Sequence, residues 1–212
     1  MSNEYKTICY YSKEDNAYIM FAPDLPGCFA DGETVKEAKE NIAVIIEEWK
    51  DYAAELGREV PEPLTEIEST QPSVFDVAKY VLSKTGSIST MMLQKLVFYC
   101  QAWTLAWFHV PLFQNDFEAW KNGPVCRDLF YMHKRNRVVS QKNIASVHEL
   151  SVSEKKMIDN VLSVYQNEDP EWLSRLTHEE QPWKATRGDL PEDAASSAVI
   201  SKASMGEYYG SL

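Results

Sequence analysis

The sequence predicts an α+β protein made of two unlike parts: a small three-stranded sheet with one long helix, then a mainly α-helical domain. Three observations carry this. Residues 5–31 contain short β-rich runs separated by turn-forming clusters, residues 35–56 hold one long amphipathic period, and beyond residue 73 most apolar residues recur at helical spacing. The 212 residues leave room for both parts. The net charge of −11 is unevenly placed, with 6 Lys+Arg against 16 Asp+Glu over residues 1–72 and 15 against 16 over 73–212. Such an acidic first part disfavours phosphate-backbone binding and suits either a basic protein partner or simply a soluble surface.

Residues 5–12 and 17–22 form a hairpin across the polar turn Lys13-Glu14-Asp15-Asn16. A turn at residues 23–28, rich in proline and glycine, leads to a third short strand at 29–31, which Gly32 ends. Thr34 and Glu37 have the spacing of a capping box. The helix behind them directs Val35, Ala38, Ile42, Ile45, Trp49, Tyr52 and Leu56 inward and stops at Gly57.

The string Ala22-Pro23-Asp24-Leu25-Pro26-Gly27-Cys28, with Asp31-Gly32-Glu33-Thr34 and Glu37-Ala38 after it, resembles the HicB antitoxin domain over about residues 4–62. The resemblance implies a degenerate RNase H-like fold and pairing with a HicA-type toxin. It also implies a DNA-binding tail, but here a different domain stands in that place. RNase H chemistry needs clustered carboxylates for magnesium. Asp24 lies in a turn and Asp31 at a strand end with no third carboxylate placed beside them, so the fold is expected to be catalytically empty.

The first domain is assigned to residues 1–59. Residues 60–72, with prolines and no helical period, are assigned as a semi-rigid linker, and residues 73–212 as the second domain. There Ser73 can cap a helix that buries Val74, Val77, Ala78, Val81 and Leu82 before Gly86. Ser89 or Thr90 can cap the next. On it Leu93, Leu96, Cys100, Trp103 and Trp107 share one face, while Phe98, Tyr99, Ala102, Leu105 and Ala106 make the others apolar. Only Gln94, Lys95 and Gln101 offer much to water, so this helix belongs inside the domain. Phe117 to Lys121 alternates as a brief strand, Asn122-Gly123-Pro124 breaks it, and Pro124 is placed in the first turn of a helix that carries Val125, Leu129 and Met132 inward. Further helices are expected at 153–165, after the Asp169 cap with Trp172, Leu173 and Leu176 inward, and at 201–209.

The motifs LQKL at 93–96, EAW at 118–120, GPV at 123–125 and LTHEEQPW at 176–183 resemble the Panacea domain, the antitoxin domain typified by the SocA proteolytic adaptor. What the two resemblances imply is an antitoxin of a prokaryotic or phage toxin–antitoxin operon. It would be cytoplasmic and would cover a cognate protein toxin through the Panacea-like domain, and it could self-associate through strand edges of the HicB-like part. Delivery of the toxin to an ATP-dependent protease and repression of its own operon stand as alternatives.

The residues assigned to partner binding are Gln94, Lys95, Lys121, Arg127, Lys134, Arg135, Arg137 and His178. Half of them come from the cluster His133-Lys134-Arg135-Asn136-Arg137 and its flank at Arg127, where arginine forks suit carboxylates. No aromatic residue interleaves with that cluster, so nucleic acid is not the expected partner. His178 beside Glu179 and Glu180 lacks a second histidine at ligand spacing and an adjacent nucleophile, which favours a structural histidine. Cys9, Cys28, Cys100 and Cys126 form no C-x-x-C pair and read as reduced, buried thiols. Residues 96–113 are apolar enough to test as a membrane span, but Gln101, Thr104 and His109 interrupt them and the aromatics sit mid-segment. No motif of a phosphate-binding loop, nucleophile elbow or zinc protease occurs, so no catalytic residue, metal or cofactor is predicted.

Overall fold

The hairpin forms where the alternating residues place it, with β1 (Ile8–Ser12) antiparallel to β2 (Ala17–Phe21) and β2 to β3 (Phe29–Gly32), in a computed structural model that describes residues 5–145, 148–191 and 193–212. Cys9, Met20 and Ala30 are cross-strand partners and form one buried row. Helix α1 (Val35–Glu55) lies over that face so closely that a Cβ on Gly32 would overlap the Ala38 backbone. On the other face Tyr10, Phe21 and Phe29 stack in sequence, with ring centroids 6.0 and 5.8 Å apart.

The Thr34 hydroxyl caps the Glu37 N–H, while the Glu37 carboxylate reaches back to the N–H of Glu33, one residue earlier than a standard box. The buried stripe of α1 is Ala38, Ile42, Ile46 and Ala53, and Tyr52 and Leu56 are exposed instead of inward. The cover extends to Ala53 in the last turn, so Tyr52 is exposed because it lies one position off the buried stripe, and Leu56 because it lies past the helix end. Trp49 donates to the carbonyl of Pro26, tying α1 to the turn after β2.

Two compact units divide at Ile67–Glu68. In the first, Tyr5 Oη donates to Pro61 O and the buried Asp24 carboxylate accepts the N–H of buried Leu64. Asp24 is thus occupied by the chain's own backbone. In the second, the buried Glu154 carboxylate accepts the N–H and hydroxyl of Thr70 as well as the Ser151 N–H. Ser151 Oγ donates to Glu68 O.

The second unit is built on α3 (Thr90–Phe108), preceded by α2 (Val74–Thr85) and the two-residue β4 (Ile88–Ser89). Ser73 and Asp76 form a full capping box on α2, Ser89 caps α3, and His109 ends α3 in the left-handed conformation. Then follow β5 (Phe117–Trp120), β6 (Gly123–Cys126), α4 (Arg127–His133), β7 (Val138–Val139), α5 (Val152–Tyr165), α6 (Pro170–Glu179), α7 (Gln181–Arg187), β8 (Val199–Ile200) and α8 (Lys202–Ser211). The sheet order is β6-β5-β8, and β4 pairs with β7.

Pro124 is in strand β6 and not in a helix; α4 begins three residues later, and Met132 on it is only half-buried. The reason is topological. β6 is an edge strand, where a missing ladder N–H is tolerated. Helix α3 is surrounded, with Met92 through Ala106 all buried. Tyr99 stacks on Tyr165 at 4.2 Å, and Trp103 Nε1 donates to the Tyr165 hydroxyl. Among the described residues no helix is long and apolar enough to cross a membrane.

Candidate functional site: a clasped hairpin beside a basic cavity

Gln94, Lys95 and Gln101 do not face water: they are 3, 1 and 0 % exposed. Buried amide and ammonium groups must find partners, and these three find backbone. Gln94 Oε1 accepts the Cys126 N–H at 2.8 Å, and its Nε2 donates to Cys126 O and to His133 Nε2. Gln101 does the same one helical segment later, accepting from the N–H groups of Leu112 and Phe113 and donating to Phe113 O. Lys95 Nζ donates to Asn122 O at 2.6 Å and to Pro124 O at 3.4 Å, so it holds the turn between β5 and β6.

The LTHEEQPW segment closes on the same hairpin from the other side. Trp183 Nε1 donates to Trp120 O, and Arg187 donates to Ala119 O, so α7 bonds two successive carbonyls of β5. Ser174 Oγ joins Lys95 on Asn122 O. His178 stacks on Trp183 at 4.1 Å and lines neither of the two hollows where the other residues grouped with it on sequence grounds gather. Glu180 Oε2 accepts the hydroxyls of Tyr99 and Tyr209, which joins α3 to α8.

Burial governs the charges here. It pulls the Lys95 ammonium down to about 7, against the opposing field of Glu180. Burial also pushes the Glu180 carboxyl up to about 8 although the Tyr209 and Tyr99 hydroxyls oppose it, so at neutral pH Glu180 mostly keeps its proton. Lys95 therefore rests chiefly on neutral carbonyl groups. His133 is not part of the basic cluster: it is buried, its pKa is lowered by burial, and the Gln94 amide donates to its Nε2, leaving the proton for Nδ1.

Beside this clasp is a cavity of about 340 Å³, where Gln94 and Lys95 meet Trp120, Lys121, Phe130, His133 and Lys134. A second hollow of about 390 Å³ is lined by Glu118, Trp120, Lys121, Arg127 and residues 195–197. Trp120 and Lys121 belong to both. Of the eight residues assigned from sequence, Gln94, Lys95, Lys121 and Lys134 come together at the first cavity and Arg127 joins Lys121 at the second. Arg135 and Arg137 follow α4 as exposed cations.

Arg127 Nη1 pairs with the Glu118 carboxylate at 3.3 Å, and Lys134 Nζ sits 4.8 Å from the ring of exposed Tyr131. Trp120 donates to the same Glu118 and meets Phe130 edge-on at 4.8 Å. The sequence names His133 only within the basic cluster and Glu180 only beside His178, and it does not single out Phe130; the bonds that give His133 and Glu180 their places reach Gln94, Tyr99 and Tyr209, tens of residues away. The one local signal was the polar pair Gln94-Lys95 inside an otherwise apolar helix. Among the described residues no group of three or more His, Cys, Asp or Glu side chains is placed to hold a metal ion.

Two sequence families match the chain. The antitoxin SocA-like Panacea domain matches residues 93–184, and the HicB-like antitoxin of bacterial toxin–antitoxin systems matches residues 6–83. The first match holds all four motif segments that meet at the hairpin, and the second runs beyond α1 into α2. The UPF0150 protein Ta0767 of Thermoplasma acidophilum is 38 % identical over 63 residues, which are 28 % of this chain and 91 % of that protein. No solved structure matches the chain.

Proposed function

The chain belongs to the HicB-like antitoxin family through its first part and carries a SocA-like Panacea antitoxin domain after it, and from this premise we propose that it neutralises a protein toxin by direct contact through the Panacea-like unit. The contact face is the β5–β6 hairpin and α4, with Lys121, Lys134, Arg135 and Arg137 as its charged groups. Gln94 and Lys95 act beneath it as positioning residues. They hold the hairpin and do not themselves reach across to a partner.

The observation that carries this reading is the convergence of the four motif segments on one hairpin whose outer side presents a basic, aromatic surface. A buried clasp of this kind fixes the backbone beneath a recognition surface and lowers the ordering cost of binding. Neutralisation by binding needs no reaction, so the reading assigns no catalytic group. The HicB-like unit, whose β1 and β3 are both sheet edges, is assigned self-association or adjustment of toxin range.

Co-expression with the toxin encoded by the adjacent reading frame tests the proposal. Arg135→Glu combined with Arg137→Glu is expected to abolish rescue and co-purification while leaving the melting temperature unchanged. Full rescue by that variant would remove the face from the function. Toxin that disappears only in cells with an ATP-dependent protease would replace neutralisation with delivery.

A further inference from the structure

The cavity beside the clasp carries a charge pattern at odds with the rest of the molecule. The chain has a net charge of −11, yet this cavity is lined by Lys95, Lys121 and Lys134 and by no Asp or Glu. Lys95 is at its floor, 1 % exposed, and Lys121 and Lys134 are exposed at its rim. An ammonium has three N–H donors and no acceptor. Lys95 spends two on neutral carbonyls, and no carboxylate among the described residues bonds it. Trp120 and Phe130 supply an apolar wall against which a hydrocarbon or aromatic group can pack.

We propose that this cavity is an anchor site for an acidic peptide motif: it takes one Asp or Glu side chain of the partner between Lys121 and Lys134, with a neighbouring apolar side chain packed on Trp120 and Phe130. The inference rests on the reading that this face meets a protein, and it names what the face recognises. A volume of about 340 Å³ is near the lower end of the ~300–1,000 Å³ typical of ligand pockets. That is a space for an anchor, and the interface continues outside it. Tyr131, Arg135, Arg137 and Val138 are all exposed on the chain that leads away from Lys134, and a peptide segment would cover them where a small metabolite would not.

The test is selection of a phage-displayed random peptide library on the purified full-length chain, with affinities of selected peptides measured by fluorescence polarisation. Enriched peptides are expected to pair Asp or Glu with an adjacent Leu, Phe, Tyr or Trp. Their affinity should fall at least tenfold on Lys121→Glu/Lys134→Glu and be kept by Lys121→Arg/Lys134→Arg, with melting temperatures unchanged because both lysines are exposed. Peptides lacking an acidic residue, or affinity unaltered by the charge-reversed pair, would overturn the proposal. So would saturable quenching of tryptophan fluorescence by AMP that the charge-reversed pair abolishes, since that outcome assigns the cavity to small anions. Failure of the selection alongside loss of toxin rescue in Arg135→Glu/Arg137→Glu would remove only the acidic anchor and leave the toxin-binding face standing.

Discussion

Lys95 Nζ occupies the space into which a side chain on Gly123 would project, with Thr177 Oγ1 just beyond it. Gly123 has φ of 95°, so its lack of a Cβ serves twice: it permits the turn, and it admits the ammonium that holds the turn. The KL of the first motif and the GP of the third are one contact seen from two ends.

Gly123→Ala is therefore expected to cost about 2–4 kcal/mol, adding a left-handed backbone penalty to a displaced buried donor. Gly57→Ala is the control, because Gly57 has φ of 64° but open space around its missing Cβ. It should cost only about 1–2 kcal/mol. Urea denaturation of both variants measures the difference. Equal costs would show that Lys95 can leave the turn freely.

Two buried groups give opposite pH dependences. The folded chain keeps a proton on Glu180 up to about pH 8, while the unfolded chain loses it near the ordinary value of 4.5, so this group's stabilisation is lost as pH rises between them. Lys95 is held down to about 7 against an ordinary 10.5, so its contribution grows as pH rises through that interval. Glu180→Gln is expected to flatten the fall in stability between about pH 5 and 8, and Lys95→Met to flatten the rise between about pH 7 and 10. Denaturation midpoints across this range check both. Parallel curves for the wild type and Glu180→Gln would mean that Glu180 ionises normally in the fold.

Arg127, which opens α4, and Arg135, which follows it, are expected to behave differently. Arg127 pairs with Glu118, which is only 8 % exposed, so Arg127→Glu sets two carboxylates together and should cost about 1–2 kcal/mol. Arg135→Glu touches nothing buried and should stay within about 0.5 kcal/mol. Trp120→Ala, half-buried but joined to Glu118 and Phe130, is expected to cost about 2–3 kcal/mol. Thermal melts of the three rank them.

A fragment of residues 68–211 is expected to fold alone, whereas one starting at residue 73 loses Thr70 and leaves the buried Glu154 carboxylate with fewer partners. The shorter fragment should melt several degrees lower. Identical melting would show that Thr70 adds nothing. If the HicB-like unit mediates self-association, the 68–211 fragment should also sediment as a smaller species than the full chain.

How much of this was legible in the sequence follows from the range of each interaction. Helix α3 was placed as an interior helix because its apolar residues cover every face, which is a local property. The fate of Gln94, Lys95 and Gln101 was not legible. Polar residues in such a helix look like its wet side until the backbone of residues 112–126 arrives to bond them. Pro124 shows the same limit, since a proline after Asn-Gly suits a helix start equally well and only the strand order reveals an edge position. In α1 the period is plain, but which of the neighbours Tyr52 and Ala53 continues the buried stripe is decided by the packing, and it is Ala53. The cationic residues at the cavity were nameable because exposed Lys and Arg are conspicuous in an acidic chain. Their grouping into one concavity needed the hairpin.

If the Panacea-like unit neutralises by its hairpin face, the affinity of the 68–211 fragment for the purified toxin reports it directly. This fragment is expected to bind within about threefold of the full chain, a difference of roughly 0.6 kcal/mol, and to lose at least tenfold on Arg135→Glu/Arg137→Glu. Undetectable binding by a folded 68–211 fragment, with the full chain still binding tightly, would contradict this expectation and move toxin recognition to the HicB-like unit.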